Sequence, residues 1–234
     1  MTFAEKINRF NQHLTYSGPA LPQGIRIMNP FKESDQAPVI AGAFYNKYYN
    51  DAGSRHLILG INPGRFGAGL TGIPFTDPKR LMSECGISYT GKVTHEPSSV
   101  FVYEVIKAFG GPQPFYKKFH INSLSPLGFT SIDDKGREKN YNYYDSKLLQ
   151  DTVTSFIIDN IYKQIALEVE TDVCFCFGTG KNETFLRRLN DKYNFFKKIV
   201  ALEHPRFIMQ YKSAYKQFYI DKYIAAFSVV DNLL

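Results

Sequence analysis

Two side chains in this sequence are of a type and placement that could do chemistry. Asn62 stands in Ile61-Asn-Pro-Gly64 and His204 in Glu203-His-Pro-Arg206, each just after a short apolar run. An amide can position a water but cannot accept its proton. A neutral imidazole with its N–H aimed inward can support a developing negative charge, and losing one such preorganised donor typically costs about 2.7–4 kcal/mol. Plainer readings stand beside these. Asn62 equally suits capping of a turn before Pro63, and a lone histidine at a strand end is most often a satisfied structural residue.

Either role needs elements that bring the two residues together. Compact apolar runs over 55–61, 119–124, 172–177 and 198–202 read as strands, and helical patterns cover 3–14, 98–108, 147–168, 182–189 and 213–229. Strands alternating with helices imply crossover connections and a mainly parallel sheet covered on both faces. Such sheets bind ligands at the carboxyl ends of their strands. The segments that follow the four runs are Asn62-Pro-Gly-Arg-Phe-Gly-Ala-Gly69, Ser125-Pro-Leu-Gly128, Gly178-Thr-Gly-Lys181 and His204-Pro-Arg206. The segment 19–33, punctuated by Pro and Gly, reads as a surface run. No repeat, low-complexity tract or long linker divides the chain, so residues 1–234 are expected to form a single domain.

The glycine-rich loops do not read as nucleotide motifs. Gly67-Ala-Gly-Leu-Thr-Gly72 satisfies G-x-G-x-x-G, but Pro74 and Pro78 occupy the place of the phosphate-binding helix. Gly180-Lys181 lacks the rest of a P-loop, since Phe175 and Asn182 stand where Gly and Ser or Thr are required. What remains is a backbone-rich turn in which Gly64, Gly67 and Gly69 permit close approach to a flat ligand. Ordinary turn geometry explains the same glycines.

The chain carries 28 Lys and Arg against 22 Asp and Glu, a net +6 that suits a phosphate-rich partner without requiring one. With 16 Tyr and 20 Phe, rings remain for base stacking after the core is filled. Cys85, Cys174 and Cys176 are too few for a disulfide framework, and no Cys-rich spacing supplies a metal site. They read as structural thiols in a reducing, intracellular compartment. The N-terminal segment reads as a helix rather than a signal peptide, and no stretch reaches the length of a membrane span.

Three segments together resemble the single-strand-selective monofunctional branch of the uracil-DNA glycosylase superfamily. They are Leu59-Gly-Ile-Asn-Pro-Gly-Arg-Phe-Gly-Ala-Gly-Leu-Thr-Gly-Ile-Pro-Phe75, His120-Ile-Asn-Ser-Leu-Ser-Pro126 and His204-Pro-Arg206, in the family's order. The first is specific, and the other two gain their meaning from it. The fold implied is a three-layer α/β/α sandwich with a four-stranded parallel central sheet. The activity implied is monofunctional hydrolysis of the N-glycosidic bond of uracil or a related base in DNA, leaving an abasic site. DNA is then the partner, the protein a monomer, and neither cofactor nor metal is called for. Its location would be the nucleoid-containing cytoplasm of a bacterium or the nucleus of a eukaryote.

By that resemblance Asn62 would hold the water that attacks the sugar C1′, and His204 would hydrogen-bond the uracil O2 as the base departs. An amide at position 62 then implies slower turnover than a carboxylate there. Phe75 would stack on the flipped base, Ile61 would line its pocket, and Gly64 would leave space beside C5. Alignment on Pro126 puts Ser123 at the family's base-reading Asn, with Asn122 one residue earlier. Neighbouring strand residues face opposite ways, so only one of the two can point at the base. Phe207 directly follows Arg206 and departs from the family pattern. Arg206, Phe207 and Met209 are candidates for the wedge that fills the gap left in DNA, and Lys212 for a phosphate contact; packing beneath the last helix suits Phe207 and Met209 equally. The alternative is a non-catalytic base- or nucleotide-binding module of the same fold, favoured if Asn62 and His204 do not reach one pocket.

Overall fold

The computed structural model describes residues 1–232. Its centre is a parallel sheet of β2 (His56–Gly60), β3 (Phe119–Ser123), β6 (Glu170–Phe177) and β7 (Lys198–Leu202), in the order β3-β2-β6-β7. These are the four runs expected as strands. Their central residues, such as Leu57, Ile58, Cys174 and Phe175, are fully buried, as strands covered on both faces must be. Register brings the carboxyl ends level: Gly60 lies opposite Ser123, and Phe177 opposite Leu202. Chain direction across the sheet reverses at β2, whose successor β3 lies on one side while β6 and β7 lie on the other. This is the switch point at which such sheets hold ligands.

The expected helices form close to their predicted bounds, at Phe3–His13, Pro97–Ala108, Lys147–Ile165, Lys181–Tyr193 and Lys216–Phe227. The first begins with a capping box, in which Thr2 Oγ accepts from the Glu5 N–H and the Glu5 carboxylate accepts from the Thr2 N–H at 2.8 Å. One buried cluster runs from Phe3 to Val230, with Cys174 and Cys176 inside it, their thiols pushed up by burial. No described helix is long and apolar enough to cross a membrane.

A second, antiparallel sheet departs from the expectation. It joins β1 (Ile25–Met28), β4 (Gly128–Ile132) and β5 (Glu138–Tyr141) in the order β1-β4-β5. The segment 19–33 is therefore only partly a surface run: it contains β1, and Met28, Asn29 and Pro30 are buried. This small sheet packs on the loop after β2. A Cβ on Gly128 would stand 2.7 Å from the Pro63 carbonyl, so only glycine lets β4 approach so closely.

Candidate active site

Ile61 and Asn62 leave the end of β2, and two groups from the small sheet and its exit, with one from the loop itself, grip the Asn62 amide. Nδ2 donates to the Tyr141 carbonyl at 3.2 Å and to Pro63 O at 3.3 Å, while Oδ1 accepts from the Tyr143 N–H at 3.1 Å. These partners fix which way the amide faces. Oδ1 keeps one lone pair for a further donor, which a water can supply. The same loop is tied to β5 by the Arg65 N–H, which donates to Asn140 Oδ1 at 2.9 Å, and by the Arg65–Glu138 ion pair at 3.2 Å.

His204 follows β7 and caps the Pro205–Tyr211 helix. Its Nδ1 accepts from the Arg206 N–H at 3.1 Å. The other ring nitrogen, Nε2, therefore carries the proton of the neutral ring. Burial, with the neighbouring Arg206 cation second, pulls the His204 pKa down to about 4. At neutral pH it is an uncharged N–H donor. The Tyr223 hydroxyl donates to the Glu203 carbonyl just before it, so the last helix holds this turn in place.

Phe75 closes the floor. Its φ of 53° is left-handed, a conformation that a bulky residue adopts only when its surroundings impose it. The Thr71 hydroxyl imposes it here, donating to Thr76 O at 2.6 Å and accepting from the Ile73 N–H at 3.2 Å. The Phe75 ring lies 5.7 Å from the His204 ring and 5.4 Å from that of Phe177. A Cβ on Gly60 would stand 2.8 Å from that ring, so the glycine ending β2 makes room for it.

These groups surround one open cavity of about 690 Å³. Ile61, Asn62, Gly64, Phe75, Ser123 and His204 all line it, and Arg206, Phe207 and Met209 form part of its rim. One residue expected at the flipped base lies elsewhere. Asn122 is almost fully buried, its Oδ1 accepts from the Ser123 N–H at 2.8 Å, and it faces a separate small void with Pro126, in keeping with strand alternation. Lys212 does not line the cavity; it is exposed, at the end of the Pro205–Tyr211 helix. Lys216 and Lys222 are engaged by Glu104 and Glu203, each at 2.7 Å.

The profile of the uracil DNA glycosylase superfamily matches residues 46–228, which hold all of these groups. The chain belongs to the uracil DNA glycosylase superfamily. Among solved structures, that of wild-type SMUG2 from Pedobacter heparinus is similar over 99% of each chain, with 68% sequence identity and a TM-score of 0.98. No curated protein matches the chain. The protein is thus a DNA glycosylase, a hydrolase of N-glycosyl bonds acting on DNA.

The cavity is also lined by residues that no motif marked. Asn140, Asn142 and Tyr144, from β5 and the turn after it, face the cavity. So does Glu96, whose backbone N–H is held by the buried Asp77 carboxylate at 2.7 Å. Asp77 caps the Pro78–Cys85 helix and also accepts from the Arg80 N–H at 2.8 Å. Desolvation, then the nearby Asp77 charge, pushes the Glu96 carboxyl up to about 7, and Arg206 offsets part of that rise. In the sequence Glu96 is one acidic residue among 22, distinguished by no spacing.

Proposed function

We propose that this glycosylase releases uracil and related deaminated or oxidised bases through a site built on Asn62 and His204. The observation that carries this reading is that both side chains line one cavity with their hydrogen-bonding directions already set. Asn62 Oδ1 has a free lone pair for a water, and His204 has a neutral N–H to offer. Bond cleavage builds positive charge on the sugar and negative charge on the departing base. A fixed N–H donor in a partly desolvated cavity stabilises that anion without reorganising.

Phe75 stacks on the flipped base in this reading. Ser123, almost fully buried and open to the cavity, faces its edge with a hydroxyl that both donates and accepts. Arg206, Phe207 and Met209 at the rim fill the gap in the DNA, with Lys212 on phosphate. The protein acts as a monomer, inside the cell, without a membrane partner. The direct assay uses oligonucleotides that each hold one uracil, hydroxymethyluracil, xanthine or hypoxanthine, single- or double-stranded, followed by alkali to break abasic sites. Cleavage at uracil is expected; no product from uracil in either strand context overturns the reading.

A further inference from the structure

The Asn62 loop carries a space that its own residues do not fill. A Cβ on Gly64 would stand 2.6 Å from Glu96 Oε1, and one on Gly67 would overlap the Glu96 carboxylate outright. Two glycines of the loop that holds Asn62 are thus cleared for this one side chain, which reaches them from the start of the Pro97–Ala108 helix. Among the described residues no donor hydrogen-bonds the carboxylate, although it is half-buried. A carboxylate left without donors at a cavity wall has its lone pairs available to a ligand or water.

Other basic groups around the cavity are already committed. Asp77 is fully buried and saturated by Arg80 and by the Glu96 N–H. His204 uses Nδ1 as an acceptor for the Arg206 N–H and carries its proton on Nε2. His95 Nδ1 is engaged by the Arg80 guanidinium at 2.7 Å. The Asn62 amide has no basic lone pair of its own to take a proton. Among the described residues that line the cavity, Glu96 is the open base.

We propose that Glu96 is a further catalytic residue, whose carboxylate takes the proton of the water that Asn62 orients. The proposal rests on the roles of Asn62 and His204 given above. In the step, the water oxygen bonds to C1′, and the pair of the C1′–N bond leaves with the base, whose anion accepts a hydrogen bond from His204. One water proton passes to the Glu96 carboxylate and from there to the released base or solvent. A base is most effective when its pKa lies near the working pH, and about 7 is where burial and Asp77 hold this carboxyl. The charged and polar groups around it are Asp77, which caps the Pro78–Cys85 helix, Arg80 from that helix, the adjoining His95, Asn140 from β5, and Arg206, with His204 on the same cavity.

The test is the single-turnover rate of uracil release from a single-stranded oligonucleotide between pH 5.5 and 8.5. The wild-type rate is expected to rise about tenfold per pH unit and level off near 7; His204, at about 4, titrates below this window. Glu96→Gln should remove that limb and lower the plateau by roughly 10²-fold, the lower end of what a positioned base contributes. Glu96→Asp should keep a weakened limb, and formate should partly restore Glu96→Ala. A wild-type limb and plateau in folded Glu96→Gln, or in Glu96→Asp together with no rescue by formate, overturns the proposal. Full activity in Asn62→Ala at every pH would instead overturn the underlying assignment of the water site.

Discussion

Asn62 is held by the pairing of its amide N–H groups with carbonyl oxygens, and this changes what an aspartate there would do. An oxygen in place of Nδ2 would face Tyr141 O and Pro63 O at about the present 3.2 and 3.3 Å, with no proton between them. Lone pairs set against one another cost about 1–3 kcal/mol when the group is away from water, so the side chain would turn out of position. Asn62→Asp is therefore expected to slow uracil release despite introducing a carboxylate, and to lower the unfolding midpoint. Faster release at neutral pH would show that a base at position 62 outweighs its placement. The slow turnover inferred from an amide alone is thus only part of the account, since Glu96 opens on the same cavity.

At the scale of elements, the parallel sheet was legible and the clamp on Asn62 was not. Runs such as His56–Gly60 and Lys198–Leu202 are apolar and end at Gly, Pro or polar residues, so their period and their punctuation agree. β5 is Glu-Lys-Asn-Tyr, with Lys139 and Asn140 exposed, and it offers no alternation to read. A turn signal was nevertheless present: Asp133 Oδ1 accepts from the Lys135 and Arg137 N–H groups, and Gly136 takes a φ of 72°. The choice between Asn122 and Ser123 could not be made from the sequence because it depends on which face of β3 meets the cavity. Glu96 carries no signal in the sequence, because its place at the cavity depends on two glycines about thirty residues away that leave it room.

The clamp continues into the sheet through Tyr143. Its fully buried hydroxyl donates to Asn182 Oδ1 at 2.8 Å, and Asn182 Nδ2 donates to Phe177 O at 3.1 Å, at the carboxyl end of β6. Tyr143→Phe keeps the ring and leaves Asn182 Oδ1 unpaired in the core. It should lower stability by about 1–3 kcal/mol, the usual cost of a buried unsatisfied acceptor. Urea unfolding measures this directly; a change below about 0.5 kcal/mol would mean that the Tyr143–Asn182 bond contributes little net energy.

Across the whole molecule, two histidines set the response to acid in the same direction. His120 is fully buried among Phe3, Tyr45 and Tyr49, and among the described residues neither ring nitrogen has a hydrogen-bond partner. Burial, with the Arg55 cation second, pulls its pKa down to about 3, and His204 sits at about 4, against 6.5 for both in the unfolded chain. Each is therefore neutral in the fold and takes up a proton on unfolding. Their contribution to stability is fully present above 6.5 and is lost as pH falls through the window from 6.5 to about 3. His120→Phe removes the larger shift, so its melting temperature should fall less between pH 7 and pH 5 than that of the wild type. An equal fall in both proteins would show that His120 takes no part.

In the proposed reaction Asn62 and His204 act together in the cavity at the carboxyl edge of the sheet. Single-turnover release of uracil from an oligonucleotide at pH 7.5, by the wild type, Asn62→Ala and His204→Ala, tests it most directly. Each variant is first shown to unfold cooperatively. Product is expected from the wild type, with a loss of roughly 10²–10³-fold in His204→Ala, the size expected for one preorganised donor, and a loss at least as large in Asn62→Ala. Release at the wild-type rate by both folded variants would contradict that joint role.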